Sequence, residues 1–235
     1  MTSLLEKLTS FQERRRFPDW QPKPCHSRFY GIRGNQVVLE RLLQFVDLEV
    51  TVGEWLQQAK HRLPSEAHAL IDRNSSDELK HDTVLRYLTS YVGLVEPDDR
   101  ARALVNEWQR QQPCFALAYA LEMGIFMSIL PWLTKNGDLY CATVSQWISD
   151  DEVVHVLTNR ELAAELGESV TSDLCSLVAR TIYYILEPEG HQEAVAQAKR
   201  SIRRISTGED PSASLQSTAV VTAFFEQNER NEIMY

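Results

Sequence analysis

The chain has 235 residues, 43% of them apolar, and a formal net charge of −9. That length supplies one substantial core, and no apolar run approaches the ~20 uninterrupted residues needed to span a bilayer. The acidic balance opposes a nucleic-acid partner, which needs a concentrated basic surface. Four widely spaced cysteines (Cys25, Cys114, Cys141, Cys175) with no C-x-x-C pair argue against a zinc ribbon or an iron–sulfur cluster.

Glu6 and Lys7 fall where a signal peptide has its apolar segment, so the expected location is cytoplasmic. Residues 3–14 have the pattern of a short amphipathic helix, and Phe17-Pro18 and Gln21-Pro22-Lys23-Pro24 then force extended chain. Residues 1–33 read as an arm. From about Gly34 to His61 the pattern is helical, with Val38, Leu42, Phe45, Val46, Val52 and Leu56 at spacings of three and four. Glu49 lies on that stripe, whereas Glu40 and Glu54 do not. A second helix is expected from Ser65 to Val92, its inward seam stepping through Ile71, Asn74, Glu78, His81, Leu85 and Leu88.

Gly93 and Pro97 end that helix, and Asp98 to Gln112 reads as a separate charged helix. A third core helix spans Cys114 to Leu130, where Glu122 is the one charge, followed by a polar turn at Lys135-Asn136-Gly137-Asp138. A fourth, Thr143 to Leu166, has the seam Ile148, Glu152, His155, Asn159 and Leu162. A mostly apolar fifth helix, Thr171 to Leu186, should pack against the others. Residues 189–206 form a charged helix expected at the surface, Thr207–Ser214 a linker, and Leu215–Gln227 a last amphipathic helix. Of two small basic clusters, Arg14-Arg15-Arg16 and Lys199 to Arg204, each reads as a solvated face rather than a phosphate track. No strand pattern competes, so the fold class is all-α: a helical bundle over 34–186 with a fifth packing helix, and a helical extension over 187–235.

Two strings carry the chemistry: Asp77-Glu78-Leu79-Lys80-His81 and Asp151-Glu152-Val153-Val154-His155, both Asp-Glu-x-x-His. A Glu and a His three apart share one helical face, so both reach one metal ion. Each string is half a site, and an acidic residue on a core-facing seam needs neutralising. Glu49 precedes Glu78 by 29 residues and Glu122 precedes Glu152 by 30, so each half is a lone-Glu helix, a turn and a Glu-x-x-His helix. Antiparallel pairing brings each lone Glu level with its partner pair. The resulting donor set, Glu49, Glu78, His81, Glu122, Glu152 and His155, is that of di-iron and di-manganese carboxylate bundles. Two divalent cations with neutral histidines cancel four buried carboxylates, and the absence of thiolates points to iron or manganese. A lone E-x-x-H is commonly a surface coincidence; two copies with matched Glu residues on apolar seams weigh against that.

On these motifs the chain resembles the ferritin-like di-iron carboxylate superfamily over about residues 34–166, which implies a ferritin-like four-helix bundle with additional C-terminal helices. In its oxygenase and reductase branches an Asp before the ligand Glu accepts a hydrogen bond from a ligand His, a role the resemblance gives to Asp77 and Asp151. The bland alternative is that both are helix-surface acids. Asn74 and Asn159 either bond the site or are satisfied core polars. Phe115, Tyr119 and Phe126 are either the wall of a substrate cavity or plain core.

The resemblance implies two iron ions, with Fe/Mn or Mn/Mn as variants, dioxygen and a small apolar organic molecule as substrates, and an external electron donor; the chain could form a homodimer. Leu85 and Asn159, one turn beyond His81 and His155, leave the tyrosyl-radical position of reductase small subunits unfilled. Lack of a cysteine pair disfavours a rubrerythrin, and the chain is longer than a ferritin-cage subunit. An oxygenase or oxidase is expected, the alternative being a ferroxidase that handles iron without an organic substrate.

Overall fold

The computed structural model describes residues 2–13 and 36–208, and among these the regular structure is entirely helical. The expected arm after residue 13, Cys25 and the helix at Leu215–Gln227 lie outside the described residues. The first core segment forms two helices, α2 (Gln36–Leu43) and α3 (Asp47–Ala59), after α1 (Thr2–Glu13). One continuous helix over 34–61 was expected. Between α2 and α3 the backbone tightens: Phe45 and Leu48 donate to the carbonyls three residues back, at 2.9 Å each. Leu42, Leu43, Phe45 and Val46 around that turn are all buried.

After two 3-10 turns comes α4 (His68–Tyr87), then the short α5 (Thr89–Val92), ending at Gly93 with φ 84°, a conformation that favours glycine. α6 (Asp99–Gln109) is capped by Asp98, whose carboxylate accepts from the Ala101 amide at 2.9 Å. α7 (Phe115–Asn136) continues past its expected end at Leu130. Pro131 is exposed, so the carbonyl it leaves without an intrahelical donor is on the wet side, while buried Trp132 and Leu133 anchor the last turn. α7 is apolar and long enough to cross a membrane, but 83% of its apolar window is buried within the fold. α8 (Leu139–Glu165) is capped by Asp138 and α9 (Ser172–Leu186) by Thr171.

α3 packs on α4 and α7 on α8; contacts of α3 with α7 and of α4 with α8 join the two pairs. The 43 residues between Glu78 and Glu122 are occupied partly by α6, which packs on α9. α9 and α10 (His191–Thr207) cover α7, and α1 lies on α8, with Leu8 and Phe11 buried. α10 is therefore not the purely surface helix expected. Ala194, Ala198, Ser201 and Ile205 face the core, and the first three are small enough to permit close approach, with the Ser201 and Ser128 hydroxyls in contact.

Candidate metal centre

The two Asp-Glu-x-x-His strings lie in mid-helix on α4 and α8, and the packing of these helices brings them face to face. Glu78, His81, Glu152 and His155 are all buried and offer ligand atoms within 4.8 Å of one another, a group able to hold metal. The helices approach closely here because α3 has a glycine opposite α4. A Cβ on Gly53 would lie 3.2 Å from the Ser75 carbonyl and 3.6 Å from Glu78 Cβ. The Ser75 hydroxyl closes the gap by donating to the Gly53 carbonyl at 3.0 Å.

The half-sites interleave. Glu78 Oε2 is 3.4 Å from His81 Nδ1, but Glu78 Oε1 is only 2.9 Å from Nδ1 of His155 on the other helix. Glu152 Oε1 lies 3.3 Å from His81 Nδ1 and 3.9 Å from His155 Nδ1. Each of these two glutamates thus reaches both imidazoles, whose ring centroids are 5.7 Å apart. Glu49, in the first turn of α3 where the helix dipole favours an anion, approaches His81 Nδ1 at 3.6 Å. Glu122 on α7 is held by Asn159 of α8, whose Nδ2 donates to Glu122 Oε2 at 2.7 Å. Asn159, open between two roles from sequence, therefore bonds a carboxylate of the cluster; Asn74 is fully buried on α4.

The far nitrogens of the imidazoles point away from the cluster. His81 Nε2 is 3.5 Å from Asp151 Oδ2, and His155 Nε2 is 3.5 Å from Asp77 Oδ2. The pairing is crossed: the aspartate of each string faces the histidine of the other. Asp77 and Asp151 are fully buried, which removes the reading of either as a surface acid. Lys80 also reaches Asp77, at 2.9 Å.

Protons do in this cluster what cations would otherwise do. Burial pushes the Glu49 carboxyl up to about 8, with the charges of Glu78 and Glu152 adding and His81 opposing. Burial likewise raises Glu122 well above the carboxylate range, and raises Glu152. Glu78 goes the other way, to about 2: burial would raise it, but the charge of His155 and hydrogen bonds from both imidazoles outweigh burial. Burial lowers both histidines, yet their acidic neighbours win and both are raised well above an ordinary imidazole. Without metal, imidazolium charge and carboxyl protons neutralise a set of groups too closely packed to be anionic together.

The residues fit a pair of metal ions. Among the described residues, one oxygen each of Glu122 and Glu152 is buried without a hydrogen-bond partner, and the oxygens of Glu78 meet the two imidazole Nδ1 atoms. Nε2 toward an aspartate leaves Nδ1 as the metal-facing nitrogen, the orientation a ligand histidine needs. No protein-family model, curated protein or solved structure matches this chain. The helical fold and the buried cluster therefore rest on its own geometry.

All four glutamates of the cluster also border a narrow cavity of about 30 Å³, otherwise apolar except for Thr181. Its walls come from the α2–α3 turn (Phe45, Val46), from α4 (Leu85) and from α7 (Ile125, Ile129). Phe115, Tyr119 and Phe126, the candidate cavity wall from sequence, do not border it. They are buried core, and the Tyr119 hydroxyl is directed to α10, where it donates to the Ile205 carbonyl at 3.3 Å. The cavity lies along the 125/129 side of α7, and the α2–α3 turn that completes it has no counterpart in the sequence pattern.

Proposed function

We propose that this is a ferritin-like, non-haem di-iron carboxylate protein that activates dioxygen to oxidise or oxygenate a small apolar organic substrate. The carrying observation is the interleaved set of buried carboxylates and imidazoles; the apolar cavity beside it, about 30 Å³, has room for dioxygen, and its walls must part to admit an organic molecule. Glu49, Glu78, His81, Glu122, Glu152 and His155 would hold the two ions. Bound iron supplies the reducing electrons and an open coordination position for dioxygen.

The chain's own residues do the rest. Asp151 and Asp77, each 3.5 Å from an imidazole Nε2, would hold the Nε2 protons of His81 and His155, fixing the tautomer and making each Nδ1 a stronger donor. Asn159 keeps Glu122 from swinging. The apolar wall of Phe45, Leu85 and Ile129 keeps bulk water from the centre and favours a substrate without charge. Repeated turnover would call for an external electron donor. The alternative, a ferroxidase whose substrate is Fe(II) itself, uses the same donors but calls for a hydrophilic route for the ion, against which the apolar wall counts.

The test is anaerobic loading with Fe(II), followed by oxygen. Two irons per chain and oxygen uptake coupled to oxidation of a small hydrocarbon probe are expected. Uptake that only accumulates Fe(III), in a many-subunit cage seen by light scattering, would favour the ferroxidase. No uptake at all would remove both readings.

A further inference from the structure

On the outer face of α9 lies a second cavity, a groove of about 720 Å³ between α6, α9 and α10, in the size range of small-molecule sites. Its floor is apolar and built from small or medium side chains: Ala103 and Leu104 of α6, Ala179 of α9, and Val195, Ala198 and Ile202 of α10. Its rim is basic in a chain of net charge −9: Arg100, Arg180, Lys199 and Arg203 against the single acid Glu107.

Two of these cations are already committed. Arg180 is bound by Glu107 at 2.5 and 2.9 Å, and Arg100 by Glu187 at 3.0 Å. On α10, Arg200 is met by Glu193 and Arg204 by Met127. Lys199 and Arg203, four residues apart and so on one helical face, have no anionic partner among the described residues, and both are exposed. The basic cluster at 199–204 is thus divided: part of it is internally satisfied, and two cations are left over the groove.

We infer that this groove binds a medium-chain fatty acid in its anionic form, carboxylate at Lys199 and Arg203, alkyl chain along Ala198, Val195, Ala179 and Leu104. An apolar floor with unneutralised charge at one edge selects a molecule with the complementary division. The lining of α10 runs from Val195 to Arg203, about 12 Å at helical rise, which an extended chain of about eight to ten carbons would fill. No groove residue belongs to the metal donor set, so the inference stands independently of the proposed oxygen chemistry.

Calorimetric titration of the full-length protein with decanoate, below micelle formation, tests it. Saturable one-to-one binding is expected, with decanol about tenfold weaker because it lacks the charge, and each loss of two methylenes weakening binding several-fold. The Lys199→Glu/Arg203→Glu double variant should lose about tenfold for decanoate and little for decanol. Ala103→Trp, at an exposed position, should block the groove with an unchanged circular dichroism spectrum. Unchanged decanoate affinity in the charge-reversed protein, or no saturable binding in the wild type, overturns the inference. Capture by phosphatidylglycerol vesicles without decanoate binding overturns it in favour of a lipid surface.

Discussion

At the scale of single residues, the crossed His–Asp pairs make the sharpest predictions. Asp151→Asn keeps a polar group beside His81 Nε2 but removes the charge that strengthens Nδ1, so metal affinity should fall about 10–100-fold with the fold intact. A chelator-competition titration measures this; affinity equal to wild type would mean that Asp151 does not orient a ligand. Glu122→Ala removes a donor and leaves Asn159 Nδ2 unpaired in the interior, so loading should drop from two metals to one or fewer. Several of these residues were legible in sequence because an acid or an imidazole interrupts an apolar seam: Glu49, Glu78, His81, Glu122, Glu152 and His155 each do so. What sequence could not give was the pairing. That Glu78 sits nearer to His155 than to its own His81 depends on how α4 faces α8, which no spacing within either string encodes.

At the scale of elements, the close α3–α4 approach at Gly53 leaves little room for a side chain. Gly53→Ala sets its Cβ 3.2 Å from the backbone carbonyl of Ser75, so the helices must part by a few tenths of an ångström; that cost offsets the ~1 kcal/mol that Ala gains over Gly in a helix, and the shift of Glu78 should show as weaker metal binding in metal titrations. A second tie is Tyr184 of α9, whose hydroxyl donates to Asp98 at the start of α6 (2.6 Å) and lies 2.8 Å from the Gln44 side-chain oxygen after α2. Burial, with the Asp98 hydrogen bond and charge next, pushes its pKa up to about 12. The protonated phenol is the form the fold favours, so its contribution is complete below the unfolded value of about 10 and is lost as pH rises through about 12. Tyr184→Phe should cost about 1–3 kcal/mol at neutral pH, and the gap from wild type should close across that alkaline window. A gap independent of pH would contradict the assignment.

Helix boundaries show where element-level reading fails. The apolar stripe of residues 38–56 continues across the α2–α3 turn, because Phe45 and Val46 are both buried where the backbone changes. α10 looked solvated because its buried face is Ala194, Ala198 and Ser201, which carry little hydropathy and are buried by close packing instead.

At the scale of the whole molecule, metal held by the proposed donors from four helices would make binding part of folding. Stripped protein should melt at a lower temperature than protein loaded with Fe(II), and the difference should shrink in Glu122→Ala, as differential scanning calorimetry would show. The helical class was legible from the chain, since every long apolar segment repeats at three and four with no alternation. The cavity beside the metal donors was not, because its wall is assembled from ordinary Leu, Ile, Val and Phe side chains on separate elements. The most direct test of the central claim is an anomalous difference map collected at the iron edge on crystals of Fe(II)-loaded protein. Two peaks between Glu78 and Glu152, one beside His81 and the other beside His155, are expected; the absence of iron from that cluster would contradict the account.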